Sequence, residues 1–158
     1  MKKITVIVIF LTIFAAIHPS LADETTFRDV KLADAKGTQA KATLILSDTN
    51  KDIVVRAADR DFVTIPDDQI DKFSYEYSKK HRVTQGAVVM VASLGAGAIV
   101  MLTKSKSHWL YIDYHEQAVP KTVVLRMDKK DYQEILDAIR KQTGKEVELL
   151  GEQNKQKK

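Results

Sequence analysis

Apolar and polar residues alternate along the stretch 39–77, which is the period-two pattern of half-buried β-strands. One face of the first predicted strand carries Ala40, Ala42, Leu44 and Leu46. A polar cluster at 47–52 then predicts a turn, and the alternation resumes through 53–57 as the second arm of a hairpin. Further strands are predicted near 27–32 and at 62–65. Another is predicted on the stretch that places Phe73, Tyr75 and Tyr77 on one face.

The alternation returns in the second half of the chain and then changes period. A strand and its partner, joined by a turn at 115–118, carry apolar residues at alternate positions: Leu110, Ile112, Tyr114, Val119, Val123, Leu125 and Met127. In the stretch 128–143 the apolar residues fall at helical spacing instead, with Gly144 just past its end: Tyr132, Ile135, Leu136 and Ile139. An amphipathic helix that packs on the sheet is therefore predicted, followed by a short strand at 146–150.

The segment Val83–Thr103 interrupts this pattern, because its 21 residues carry no charged side chain. As a helix it would be about 31 Å long, just enough to cross the hydrocarbon core of a bilayer. Basic residues flank it, with Lys80 and Arg82 before it and Lys104 after it, at the positions where lipid headgroups would lie. An apolar helix inserted between the strands is therefore predicted here.

Three placements of this helix stay open: packed on the sheet, dipping into one leaflet, or spanning the bilayer. Three glycines and four alanines make the segment less hydrophobic, and a single crossing would put the strands on either side of it on opposite faces of the membrane. Membrane or partner contact is predicted for Lys80, Arg82, Val91, Leu94, Lys104, Trp109 and Tyr111. Ordinary packing within the sheet is the alternative expected for most of the aromatic residues.

The first 22 residues have the three parts of a cleavable export signal. Lys2 and Lys3 form the basic start, an apolar run follows from Ile4 to Ile17, and Ser20 and Ala22 are the small residues of the cleavage site. As a helix the apolar run would be about 21 Å long, too short for a hydrocarbon core of roughly 30 Å. Cleavage after Ala22 is therefore favoured over anchoring, and we expect the mature chain in the periplasm or cell envelope.

The composition of the mature chain limits its structural class and the kinds of partner that it can bind. Its 136 residues fit one domain over 23–150 with a polar tail at 151–158. After loss of the signal, 23 basic residues face 21 acidic ones, a nearly neutral balance that disfavours nucleic acid as a partner. The chain has no cysteine, which excludes disulfides, zinc–thiolate sites and thiol nucleophiles. The pattern specifies no oligomeric state.

Candidate metal-binding and catalytic motifs fail on residue type or spacing. Asp48, Asn50 and Asp52 alternate like the first ligands of a calcium loop, but Ile53 stands where such a loop needs glycine, so a hairpin turn is favoured. The three histidines of the mature chain lack the i, i+4 spacing of a helical zinc site. Ser93 lacks the first glycine of a nucleophile elbow. No catalytic residue, metal or cofactor is therefore predicted.

Short antiparallel strands are followed by an Ile65-Pro66 turn that leads into another strand, then by two later strands and one C-terminal helix. This order of elements resembles the bacterial PH-like or GRAM-like domains. The chain is also similar to small exported bacterial proteins that share the tract KSKSHWLYIDY in looser form. The resemblance covers about 40–144 and implies a mainly β fold, a curved antiparallel barrel plugged by the C-terminal helix, to which the inserted apolar helix is an addition.

These observations favour a non-catalytic exported envelope protein, a PH-like binding or scaffolding module that is membrane-associated through 83–103. Its expected partner is a membrane lipid or another envelope protein. Two alternatives stay open, a hydrolase-like enzyme with a site assembled from distant residues and a soluble periplasmic binding domain. A cleft with a histidine and a carboxylate within hydrogen-bond reach would favour the enzyme.

Overall fold

The structure is a computed structural model, and it describes residues 24–34, 38–79, 88–89, 99–100 and 106–151. In these residues the strands are β1 (Glu24–Ala33), β2 (Thr38–Ser47), β3 (Asp52–Ala57), β4 (Arg60–Pro66), β5 (Ile70–Ser78), β6 (Val88–Val89), β7 (Ile99–Val100), β8 (Ser107–Glu116), β9 (Val119–Met127) and β10 (Val147–Leu150). A 3₁₀ turn, Asp67–Gln69, precedes β5, and one α-helix, α1 (Tyr132–Thr143), lies between β9 and β10. The mainly β prediction is confirmed. The proposed signal and the last seven residues of the proposed tail lie outside the described residues.

Eight of the strands follow one another in a single mixed sheet, in the order β10-β5-β8-β9-β1-β2-β3-β4. Neighbours are antiparallel except β10, which returns from α1 and pairs with β5 in parallel, Val147 opposite Phe73. Within the described residues β4 and β10 end the order and do not pair with each other. The predicted closed antiparallel barrel is therefore corrected to an open mixed sheet. The physical reason is that β10 takes the edge of β5 that closure would have required.

The inner face of the sheet carries the main core, as the alternation predicts. Leu44, Val55, Phe73, Leu110 and Leu125, one from each of five strands, are buried there. Each strand therefore contributes its apolar face to the same interior, and α1 covers part of it.

The predicted C-terminal helix is confirmed, although it begins at Tyr132, four residues after the start of the predicted stretch 128–143. Three of its apolar residues enter the main core: Ile135, Leu136 and Ile139. Asp128 organises the turn before it, because its Oδ1 accepts the backbone N–H of Lys130 at 2.9 Å. The helix ends where Gly144 adopts a left-handed conformation, φ 66°, and donates its backbone N–H to the carbonyl of Arg140.

The outer face of the same sheet carries a second, smaller cluster. Its buried members are Ala33, Trp109, Tyr111 and Val124, with Leu150 packed against them. Buried polar side chains lie on this face too, among them Ser74, Glu76 and Thr122. Both faces of the central strands are therefore buried, which explains why β8 has almost no exposed position between Ser107 and Tyr114.

An apolar helix over Val83–Thr103 is not shown. The four residues that the structure describes there lie in strands, β6 parallel to Lys121–Thr122 of β9 and β7 antiparallel to Thr38–Gln39 of β2. The physical reason is that β1 pairs with β9 only at 124–126, and β3 pairs with β2 only from Ala42 onward. Backbone groups of β9 and β2 are thus open to other strands at these places, and valine and isoleucine favour extended backbone.

The rest of Val83–Thr103 lies outside the described residues. Among the residues that the structure does describe, no helix has both the length and the apolar character needed to cross a membrane.

Candidate functional site

Five of the seven residues predicted to contact a membrane or partner, Lys80, Arg82, Val91, Leu94 and Lys104, lie outside the described residues. The other two, Trp109 and Tyr111, lie on the outer face of β8 and are only 1% and 2% exposed. The Trp109 Nε1 donates to the carbonyl of Ser78 at 3.1 Å, and the Tyr111 hydroxyl donates to Glu76 Oε2 at 3.0 Å. In this conformation both pack inside the protein, which is the role expected for most of the aromatic residues.

A cluster of aromatic rings forms where β5, β8 and α1 meet. The ring of His108 lies parallel to that of Tyr132, with centroids 3.9 Å apart, and Tyr77 is tilted against it at 4.7 Å. Tyr75 stacks on Tyr132 at 5.7 Å, and its hydroxyl is 2.8 Å from His108 Nδ1. The register brings β5 and β8 together here, with Tyr77 opposite His108, while the first residue of α1 supplies Tyr132.

Burial controls the ionisation of this cluster. Desolvation lowers the pKa of His108 below its ordinary value of 6.5, the positive charge of Lys129 lowers it further, and Asp128 opposes the shift. Desolvation also raises the pKa of the Tyr75 hydroxyl to about 12. The imidazole is therefore neutral at pH 7, and the hydroxyl of Tyr75 keeps its proton.

A cleft of about 210 Å³ opens beside the aromatic cluster, at the end of the sheet where β5 ends and β8 begins. Its walls come from Asp29 and Lys31 of β1, Tyr77 of β5, residues 106–108, and residues 126–129 at the end of β9 and in the turn that follows it. An irregularity in the β1–β2 pairing between Phe27 and Val30 lies next to Asp29. We refer to this space as the basic cleft, because lysine and arginine predominate among its charged residues.

A second cleft, of about 440 Å³, lies between α1 and the β5–β10 edge of the sheet. Tyr75, Tyr132 and Leu136 form its apolar wall, and Leu149 of β10, which is 48% exposed, stands at its rim. The pairing of β10 with β5 shapes this space, so it exists only because the chain returns to the sheet after the helix.

Of the histidines that the structure describes, one has a carboxylate within hydrogen-bond reach, the feature that would favour an enzyme. His115 Nδ1 lies 3.0 Å from Asp71 Oδ1, but about half of each side chain is exposed. The histidine of the basic cleft, His108, contacts a tyrosine hydroxyl at its Nδ1 instead. Within the described residues no three histidine, aspartate or glutamate side chains are grouped so that they could hold a metal ion.

The stretch that resembles a calcium loop forms a hairpin connection. Residues 48–51 make the turn between β2 and β3, and Ser47 Oγ accepts the backbone N–H of Asn50 at 3.2 Å. Asp52 and Ile53 already belong to β3, paired with Ser47 and Leu46. The preference for a hairpin turn over a calcium loop is therefore confirmed.

Sequence reasoning missed the aromatic cluster and the basic cleft. The alternation of β8 places His108 on the same face as Leu110 and Ile112, so its inward direction could have been inferred from the sequence. The partners of His108 could not be inferred, because Tyr75 lies 33 residues before it and Tyr132 lies on a helix rather than a strand. Only the strand register and the packing of α1 bring these residues together.

Comparison of the sequence with models of protein families gives no match. Comparison with curated proteins gives none either. Among solved structures, the chain aligns with one described as "Structure of the Spt16D Pob3N heterodimer", with 10% sequence identity and a TM-score of 0.47. The alignment covers 81% of this chain and 54% of that one, so this chain spans about half the length of its structural neighbour.

Proposed function

We propose that this chain is a non-catalytic binding or scaffolding module of the cell envelope, with a PH-like arrangement of strands and a C-terminal helix. It is exported by its first 22 residues and associates with the membrane through 83–103. Its partner is a membrane lipid or another envelope protein. Support for export comes from the basic, apolar and small-residue parts of the N-terminus, and support for a binding role from the open clefts beside α1.

The observation that carries the proposal is the attachment of the uncharged segment to the sheet at two places. Val88–Val89 pairs with β9 and Ile99–Val100 pairs with β2, so two parts of the segment are held by different strands of the sheet. The nine residues between them, 90–98, carry no charge. An uncharged stretch that is attached to the sheet on both sides is suited to contact an apolar phase while the sheet stays in water.

The number of residues in the stretch 90–98 favours one of the three placements considered for the segment. A loop that leaves and returns can reach outward by only half its contour, about 15 Å for nine residues at roughly 3.4 Å each. A hydrocarbon core is about 30 Å thick. These lengths favour a loop that dips into one leaflet over a segment that spans the bilayer.

Fractionation of cells tests the proposal. The unmutated protein is expected to stay with membranes through an alkaline wash, whereas Val91→Arg is expected to be released, because an arginine in the hydrocarbon region costs free energy, up to about 2.5–3.5 kcal/mol at the bilayer centre on insertion scales. Thr64→Arg, which adds the same charge at an exposed position of the edge strand β4, is the matched control and should stay bound. Recovery of the unmutated protein in the soluble fraction without detergent would contradict membrane association.

A second candidate, a hydrolase, is favoured by the His115–Asp71 pair alone. Such a pair can orient an imidazole as a general base. Hydrolysis of ester substrates by the purified protein, lost in His115→Ala and retained in His108→Ala, would support this candidate over the binding module.

A further inference from the structure

The basic cleft has the size of a site for a small ligand. Its volume of about 210 Å³ is that of roughly seven water molecules at about 30 Å³ each. A phosphate group fits this space together with part of an ester substituent. Residues from β1, β5, β8 and the β9–α1 connection form the walls, so the ligand would be held by four separate parts of the fold.

The charge on these walls favours an anion. Four basic side chains line the cleft, Lys31, Lys106, Arg126 and Lys129, against two carboxylates, Asp29 and Asp128. Both carboxylates interact with Lys130: Asp29 Oδ2 lies 4.0 Å from its ammonium, and Asp128 Oδ1 accepts its backbone N–H at 2.9 Å. Lys106 Nζ lies 5.5 Å from the centroid of the Tyr77 ring, a contact that leaves its positive charge unneutralised.

A buried hydroxyl on the cleft wall supplies the second, independent observation. Ser107 is 4% exposed, and its Oγ has no hydrogen-bond partner within the described residues. A buried polar group left without a partner costs about 1–3 kcal/mol, so such groups are rare in proteins and commonly mark a bound water, ion or ligand. Ser107 lines the same cleft as Lys106 and Lys129. Its Oγ is itself shielded from solvent, so we expect the side chain to rotate to another staggered χ1 position when an oxygen-rich ligand accepts its proton.

We propose that the basic cleft binds a phosphate-type oxyanion, with Lys106 and Lys129 providing charge and the Ser107 hydroxyl donating a hydrogen bond. Charge-assisted hydrogen bonds to such an anion are stronger than neutral ones, and the two lysines and the hydroxyl come from two different elements of the fold. The inference rests on the proposed binding function but not on membrane attachment, because none of these residues belongs to 83–103.

Titration of the purified full-length protein with inorganic phosphate, at constant ionic strength, tests the site. Backbone amide signals in two-dimensional NMR should shift and saturate at Ser107, His108 and Lys129, with a dissociation constant in the low millimolar range or below. Amides of the distant β2–β3 turn, such as Asn50, should not move. Shifts that fail to saturate, or that spread evenly over the surface, would overturn the proposal.

Matched variants separate a specific site from general attraction. The double variant Lys106→Gln and Lys129→Gln should weaken phosphate binding by roughly tenfold or more, since it removes two charged contacts. Lys51→Gln with Lys141→Gln makes the same change in net charge at exposed lysines elsewhere and should leave the dissociation constant unchanged. Equal losses in the two double variants would overturn the proposal.

Ser107→Ala tests the hydroxyl directly. It should weaken phosphate binding while the midpoint of denaturation stays unchanged or rises, because the variant removes a buried group that has no partner. A structural role for the hydroxyl would instead lower the midpoint and leave phosphate binding unchanged, and that result would overturn the assignment.

Vesicle sedimentation then distinguishes two possible ligands, a lipid headgroup and a soluble phosphate ester. If the ligand is a lipid headgroup, the Lys51 and Lys141 double variant should bind vesicles of phosphatidylglycerol more strongly than the Lys106 and Lys129 variant. If it is a soluble phosphate ester, the two should bind these vesicles equally and still differ with inorganic phosphate. Either result supports the site. The two proposals fail separately: phosphate binding by a protein that is recovered in the soluble fraction would contradict membrane association alone, whereas release of Val91→Arg from membranes without phosphate binding would overturn the site alone.

Discussion

Two buried tyrosines of β8 show how the environment of a single hydroxyl decides its effect on stability. Tyr111 and Tyr114 are each 2% exposed and face opposite sides of the sheet. The hydroxyl of Tyr111 donates to the buried Glu76, whereas the hydroxyl of Tyr114 has no partner within the described residues, and desolvation raises its pKa to about 12. Replacement by phenylalanine is therefore expected to change the free energy of unfolding differently at the two positions.

We expect Tyr111→Phe to lower the free energy of unfolding by about 1–3 kcal/mol, because Glu76 loses a donor. Tyr114→Phe should be neutral or stabilising by up to about 1 kcal/mol, because it removes a buried group that makes no hydrogen bond. Trp109, the single tryptophan, is buried, so its fluorescence reports unfolding in denaturant. Equal destabilisation by the two variants would contradict these hydrogen-bond assignments.

His108 gives the fold a dependence on pH. Because its folded pKa lies below 6.5, the unfolded chain binds more protons between the two pKa values, and stability falls as pH decreases through this window. The rings of Tyr75, Tyr77 and Tyr132 face the imidazole, and Lys129 opposes its protonation while Asp128 favours it. The contribution of His108 is thus fully present above pH 6.5.

Denaturation midpoints measured between pH 7.5 and 5 test this dependence, with His108→Phe as the comparison because a phenyl ring keeps the stacking but does not titrate. The unmutated protein should lose more stability than the variant as pH falls below about 6.5. Carboxylates elsewhere contribute to both proteins, so the difference between the two curves isolates His108. Parallel curves would show that its imidazole does not titrate with folding.

At the scale of elements, a single truncation tests the packing of α1 on the sheet. Leu136→Ala is expected to cost about 2–5 kcal/mol, because Leu136 is buried in the main core against the sheet. Lys141→Ala, on the exposed side of the same helix, should change the midpoint little. An unchanged midpoint for Leu136→Ala in a denaturant titration would mean that α1 does not pack as described.

Sequence patterns predicted the elements whose own residues show a clear periodicity of apolar positions. The helical spacing of Ile135, Leu136 and Ile139 and the glycine at 144 predicted α1, and alternation predicted the antiparallel strands. The short strands β6 and β7 could not be predicted, since an uncharged run rich in valine and alanine suits a helix as well as a strand. Their conformation depends on which backbone groups of β9 and β2 are left open by other strands.

The open sheet also depends on information that no local pattern carries. The short strand after α1 was predicted, but its parallel pairing with β5 was not, and this pairing makes β10 an end of the sheet. The basic cleft could not be predicted from local patterns either. Its lysines are far apart in the sequence, and the register of β1, β8 and β9 brings them together. Long-range pairing, rather than composition, decides both features.

At the scale of the whole molecule, export makes a separate prediction. The mature protein is expected to begin at Asp23, because Ser20 and Ala22 are the small residues of the cleavage site. N-terminal sequencing of protein recovered from outside the cytoplasm checks this. A chain that retains Met1 in the membrane fraction would show that the N-terminal segment is an anchor.

The central claim is that an uncharged loop of this protein enters one leaflet of a membrane while the sheet remains outside. Because the chain has no cysteine, Leu94→Cys and Lys51→Cys each provide a single site for a fluorescent label, the first at the centre of the loop and the second in the exposed β2–β3 turn. The most direct measurement is quenching of each label by lipids that carry bromine at defined depths in their acyl chains. The account predicts strong quenching at position 94, greatest for bromine near the headgroups, and none at position 51. Absence of quenching at position 94 by every brominated lipid, with the protein bound to vesicles, would contradict it.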